Sequence, residues 1–121
     1  MSFYDQLLYR VPWLTIFRLS FLVAVALLSI GSVLPRDYIP PHSFHDKALH
    51  FTGYAVVSAL AMMSIRSSRR QYLCMLLLAL LGVSLEFVQI FVPGRAFEFW
   101  DMAANGCGVY FAFQVMRNIL Y

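Results

Sequence analysis

Apolar positions in this chain fall into long runs rather than into the narrow stripe of a surface helix or the alternation of a strand. Four runs stand out, from Trp13 to Leu34, Ala48 to Ile65, Tyr72 to Val92 and Met102 to Leu120. Each approaches or exceeds the roughly 18 residues that carry a helix across the hydrocarbon of a bilayer. The pattern predicts an all-α protein, an integral membrane bundle of four transmembrane helices. Few polar residues interrupt it. Arg18 lies near the start of the first run and Arg117 near the end of the fourth, where a long cationic side chain reaches the interface. His50 and Glu86 lie inside the second and third runs and need a different account.

Composition strengthens that picture. The 121 residues are 61% hydrophobic and 12% charged, whereas a soluble domain is about a quarter charged. The first run has one alternative reading, a cleaved signal peptide, because Arg10 and Arg18 precede its apolar stretch. It is long for such a segment and ends in "IGSVLP", Ile30 to Pro35, rather than in an A-x-A-like site. A retained span is therefore expected. No repeat, low-complexity tail or long linker divides the chain, so residues 1–121 read as a single membrane domain.

The charges orient it, because short loops rich in Lys and Arg stay cytoplasmic. Of the 9 basic residues, Arg10, Arg18, Arg66, Arg69, Arg70 and Arg117 fall on one side, and Arg36, Lys47 and Arg95 on the other. Asp5 is the one acid on the first side. Asp37, Asp46, Glu86, Glu98 and Asp101 lie on the second. Both termini are expected to be cytoplasmic. The net charge of +3 comes without a basic stripe interleaved with aromatics, so no nucleic-acid partner is expected. Counting at 1.5 Å per residue, Cys74 lies about 27 Å below the outer end of its span and Cys107 about 9 Å below that of its own. A disulfide needs Cα atoms within about 7 Å, so both cysteines should be free.

The outer half concentrates polar residues at helical spacing. Asp46, His50 and Tyr54 recur at i, i+4 on one face of the second run. Glu86 and Gln89 share a face of the third, and Asp101 and Asn105 a face of the fourth. If the faces meet, they line a cavity open to the outside. Plainer roles exist for each. Asp101 follows "FEFW" and suits a helix N-cap, while Asp46 and Lys47 suit a membrane edge. His50, Gln89 and Asn105 suit hydrogen bonding between helices. Glu86 is harder to place so, since about 9 Å below the outer end an unpaired carboxylate costs several kcal/mol. Lys47, His50 and Arg95 are its candidate partners. Pro93 and Gly94 end the third run and can turn Arg95 back over the cavity, offering a fork of donors to a phosphate or carboxylate. Ala104, Gly108 and Ala112 place small residues along the fourth run, where helix backbones can approach. Trp13, Tyr72, Phe97, Phe99 and Trp100 suit interfacial aromatic belts.

Two blocks of this chain resemble the VanZ-like family of small bacterial membrane proteins, named after a protein associated with teicoplanin resistance. The first is Asp46, Lys47, His50, Phe51 and Tyr54. The second is Glu86, Gln89, Phe91, Pro93, Gly94 and Arg95, followed by Asp101, Ala104, Asn105 and Gly108. The resemblance covers most of residues 45 to 113, and the first span matches only by hydrophobicity. It implies a multi-pass protein of the bacterial inner, cytoplasmic membrane with a role in the cell envelope. It names no substrate.

Two classes of function fit these readings. In the first, the cavity binds or occludes an anionic envelope group, such as a lipid-linked cell-wall precursor, and so affects susceptibility to a lipoglycopeptide. Lys47, Tyr54, Gln89, Arg95 and Asn105 are its ligand-binding candidates. In the second, the chain is an intramembrane enzyme in which Asp46, His50, Glu86 and Asp101 serve as acid and base or gather a divalent metal. No zinc-type spacing, nucleophile elbow or P-loop occurs, and no cofactor is expected. Membrane lipid is the expected surrounding partner, and oligomerisation is left open. The first class is the expectation, the second its alternative.

Overall fold

The computed structural model describes residues 11–35 and 43–121, with side chains from residue 47 onward in the second stretch. Among them are four helices: α1, Trp13–Val33; α2, Ser43–Ser64; α3, Ser68–Gln89; and α4, Phe99–Leu120. No strand occurs among the described residues, and the expected all-helical architecture is what the chain adopts. Two helices, α1 and α3, are long and apolar enough to cross a membrane. α2 and α4 have the length but fall short in hydropathy, because each carries polar residues in its first turns. His45, Asp46, Lys47 and His50 lie early in α2, and Asp101 and Asn105 early in α4.

Helix ends depart from the ends of the apolar runs for a physical reason. Hydropathy marks where the chain is greasy, whereas caps and turns decide where the backbone stops coiling. α2 starts at Ser43, ahead of Ala48, and α4 at Phe99, ahead of Met102. α3 stops at Gln89, short of Val92, because the backbone tightens into turns closed by Ile90 N–H to the Phe87 carbonyl at 3.2 Å and Val92 N–H to the Gln89 carbonyl at 3.1 Å. Gly94 follows with a φ of 74°, a left-handed conformation that a side chain would resist.

The largest interface joins α2 to α4. Its centre is Gly108, where a Cβ would collide with the Phe51 carbonyl oxygen and lie 3.2 Å from the Ala55 nitrogen. Two helix backbones therefore touch directly. Of the small-residue series, Gly108 and Ala112 are buried and Ala104 is half-buried. Below and around this contact lies a core of Tyr54, Val57 and Met62 from α2, Met75 and Leu78 from α3, and Phe113 from α4. α1 packs mainly on α2 through Phe21, Ala24, Val25 and Leu28, and Ser32 is its one buried residue. The rest of its surface is exposed leucine, isoleucine and valine. Trp13, Tyr72, Phe97, Phe99 and Trp100 are exposed as well, and both cysteines are free.

One end of the bundle, where α2 gives way to α3, is closed by satisfied polar groups. The Gln71 amide nitrogen donates to the carbonyls of Met62 at 3.1 Å and Ile65 at 2.7 Å, and lies 3.2 Å from the Tyr121 hydroxyl. Arg18 donates to the Ser64 carbonyl at 3.3 Å, while Arg117 donates to the Tyr72 hydroxyl and lies over its ring.

Candidate functional site

At the opposite end, three helices and one connection bring polar side chains together. α2 supplies Lys47 and His50, the last turn of α3 supplies Glu86 and Gln89, and the first turns of α4 supply Asp101 and Asn105. The α3–α4 connection supplies Arg95 and Glu98. Glu86, Gln89, Asp101 and Asn105 are all buried. The direct contact at Gly108 makes this convergence possible, because it pins α4 against α2 two turns from Asp101.

His50 is the hinge of the cluster. Its Nδ1 lies 2.7 Å from the Asn105 side-chain oxygen, which can only accept, so Nδ1 carries the proton. The other ring nitrogen, Nε2, faces the Asp101 carboxylate, 3.7 Å away. His50, Glu86 and Asp101 each offer one ligand atom within 4.8 Å of the others. Oxygen donors with one imidazole suit a divalent cation of the harder or borderline kind. Glu86 accepts one hydrogen bond, from the Glu98 backbone N–H at 3.3 Å through Oε2. Its Oε1 has no partner among the described residues, and neither has Asp101 Oδ1 by hydrogen-bond geometry. Lys47 Nζ approaches that oxygen only to 3.5 Å, and makes its closer pair with Glu98 at 3.1 Å. Lys47 stands just ahead of the apolar run, and its hydrogen bond to Glu98, helped by the charge of Asp101, lifts its ammonium above the ordinary lysine range.

Arg95 and Gln89 turn toward α1. Gln89 Nε2 donates to the Ser32 carbonyl at 2.8 Å, and Arg95 donates to the same oxygen at 3.4 Å. Ser32 Oγ turns back to the Leu28 carbonyl at 2.7 Å. Arg95, His50, Gln89, Glu98 and Asp101 line a cavity of about 70 Å³, room for one or two waters. Tyr54 lies deeper, fully buried, with its ring against Gly82 and its hydroxyl without a partner among the described residues.

Most of the expected residues thus meet, with three differences. The N-cap position of α4 belongs to Glu98, and Asp101 sits inside the first turn facing α2. Lys47 is occupied by Glu98 and Asp101 rather than free for a ligand. Arg95 reaches a backbone carbonyl of α1 rather than the acids. Asp46 lies among the residues whose side chains are outside the description. Sequence reasoning missed Glu98 and Ser32. Glu98 stood out as one of five outer acids; Ser32 contributes a main-chain oxygen, for which no residue type is a signal.

A family model described as VanZ/LLP1 matches residues 6–120, nearly the whole chain. No curated protein matches, and no solved structure does.

Proposed function

The chain belongs to the VanZ/LLP1 family, and from that premise we propose that it is a four-span protein of the bacterial cytoplasmic membrane whose polar end receives an anionic, lipid-linked envelope group. Only 6% of the apolar stretch of α1 and 28% of that of α3 are buried. An interior helix of a soluble protein would be mostly covered, so these surfaces suit lipid. α2 and α4 would complete the bundle, with the polar end outward and both termini cytoplasmic, in keeping with the placement of the basic residues.

The observation that carries the site is the cluster of His50, Glu86 and Asp101, whose ligand atoms lie within 4.8 Å of one another while Glu86 Oε1 and Asp101 Oδ1 have no hydrogen-bond partner among the described residues. Among the described residues Glu86, Glu98 and Asp101 outnumber Lys47 and Arg95, so the cluster by itself disfavours an anion. His50, Glu86 and Asp101 would hold a divalent cation, whose charge would offset the acids and let the site accept a phosphate or carboxylate, with Arg95 as a further donor. Holding such a group on a cell-wall precursor is how the chain would change tolerance of a lipoglycopeptide such as teicoplanin.

A second reading, an envelope-lipid hydrolase, draws on the 70 Å³ cavity beside the same cluster. There the cluster would hold a cation that would supply an activated water for hydrolysis of a lipid-linked phosphate or diphosphate. The P–O bond to the leaving group would break, and whichever of His50 and Asp101 is not bound to the cation would take the proton of the water and return it to the leaving oxygen.

Metal analysis and Mn²⁺ titration of the purified protein test the proposal. About one ion per chain is expected, with at least tenfold weaker binding in Glu86→Gln and Asp101→Asn. Wild-type protein that binds no divalent ion, with or without a phosphate ligand, overturns it. Release of phosphate from a polyprenyl diphosphate, lost in the same variants, would favour the hydrolytic reading over simple binding.

A further inference from the structure

Beside the polar cavity, a second and more apolar space of about 290 Å³ opens between α1 and α2. Leu27, Leu28 and Leu34 form one wall and Leu49 the other, with Gly31 between them. Leu27 and Leu49 are each 65% exposed, so the groove faces sideways, along the direction in which the bundle shows its apolar surface. Its inner end is His50 and Arg95, and the same two residues line the polar cavity. The two spaces therefore adjoin across His50 and Arg95, one greasy and open to the side, the other charged and small.

Gly31 gives the groove its meaning. A glycine inside a helix costs about 1 kcal/mol relative to alanine, and it is usually kept for a close backbone approach or an unusual φ. Neither holds here. Among the described residues a Cβ at Gly31 would meet nothing within 4 Å, and the positive-φ glycine is Gly94. The neighbouring Ser32 hydroxyl is turned back onto its own helix, so it does not fill the space either. The glycine gives the chain no packing of its own; what it does is leave volume.

Resting on the headgroup reading above, we infer that this groove holds the first stretch of a hydrocarbon chain of the bound lipid, which reaches the polar cavity sideways from the bilayer between α1 and α2. The volume argues for one chain. A cavity of about 300 Å³ is the lower limit for a small-molecule pocket, and that is space for part of one chain, not for the headgroup and two. Charge divides the ligand in the same way: the anion goes where Arg95 and the acid cluster are, and the chain lies along leucines.

Filling the groove tests this. Gly31→Leu places a side chain in open space, so folding should survive, and Gly31→Ala controls for the gain in helix propensity alone. The probes are Mn²⁺, methylenediphosphonate, and its farnesyl ester, which resists hydrolysis at the diphosphonate bridge; binding is measured on protein in nanodiscs of neutral lipid. Wild type should bind the farnesyl probe at least tenfold more tightly than methylenediphosphonate in the presence of Mn²⁺. Gly31→Leu should lose that tenfold, about what two buried methylenes supply, and keep Mn²⁺ and methylenediphosphonate binding unchanged. Farnesyl binding that is unaltered in Gly31→Leu, or no tighter than methylenediphosphonate in wild type, overturns the groove while leaving the headgroup site intact. Wild type that binds neither Mn²⁺ nor methylenediphosphonate removes the headgroup site, and this inference falls with it.

Discussion

Gln71 and Glu86 belong to the same helix and are 3% and 1% exposed, yet their surroundings differ in kind. Gln71 donates to the carbonyls of Met62 and Ile65, at the C-terminal end of α2, and meets the Tyr121 hydroxyl. It acts as a cap supplied from another helix, closing carbonyls that have no partner within α2. Among the described residues Glu86 accepts a single backbone hydrogen bond, has one oxygen without a partner, and lies near a second acid, Asp101. A buried polar group with its bonds made is explained by folding. One left short, beside a like charge, costs the fold free energy and calls for a partner that the described residues do not supply. The contrast between the ends separates architecture from site without appeal to either end's residue types.

The largest expected effect breaks the comparison altogether. Gly108→Ala would drive a methyl group into the Phe51 carbonyl and force α4 off α2. Overpacking of this kind costs about 3 kcal/mol, and unfolding in detergent should show the loss along with loss of Mn²⁺ binding. A variant as stable as wild type would mean the helices separate at no cost and the site does not depend on their contact. Next comes the satisfied end. Gln71→Leu strands two carbonyls and should cost about 1–3 kcal/mol, with divalent-ion affinity unchanged. If affinity falls as well, the two ends are coupled and cannot be read apart.

The unsatisfied end should respond the other way round. Glu86→Leu removes an uncompensated buried acid, so stability should hold or rise by up to about 1–4 kcal/mol. Ion binding should vanish, and Glu86→Gln should lose it as well while keeping the shape. A stability loss as large as that of Gln71→Leu would make Glu86 architectural. Smallest is the effect of pH on the exposed pair of Lys47 with Glu98. Because Glu98 raises the Lys47 pKa, the pair's contribution is complete below the ordinary lysine value and fades only as pH climbs through the raised one. Stability of Lys47→Met should therefore differ slightly from wild type at neutral pH, with the two curves meeting at strongly alkaline pH. Curves that already coincide at pH 7 would show that the pair contributes nothing.

What was legible in the sequence follows the chemistry of side chains. Apolar runs announced four helices, and the i, i+4 spacing of Asp101 with Asn105 and the i, i+3 spacing of Glu86 with Gln89 put those residues on facing surfaces. His50 between Asp101 and Asn105 was within reach of that logic. Illegible were the partners made of backbone. The Ser32 carbonyl draws both Gln89 and Arg95 toward α1, and every residue carries such a carbonyl. Helix starts also lie ahead of the apolar runs, since the polar turn from Ser43 and the aromatic and acidic turn from Phe99 coil as readily as the apolar residues that follow.

Ser32 also sets an order of events during synthesis. Its carbonyl belongs to the last turn of α1, and the groups that bond it, Gln89 and Arg95, lie 57 and 63 residues further along the chain. At about 5–20 residues per second, α1 waits roughly 3–13 s without those donors. On the proposed placement Ser32 lies at the outward end of α1, where water can hold that oxygen meanwhile, so α1 should dock on the bundle only once the end of α3 emerges. A thiol reagent acting on Ser32→Cys in stalled chains would time this. Labelling should be fast in chains halted before Gln89 has left the ribosome and slow once Arg95 is out, and equal rates would mean α1 docks without its latch.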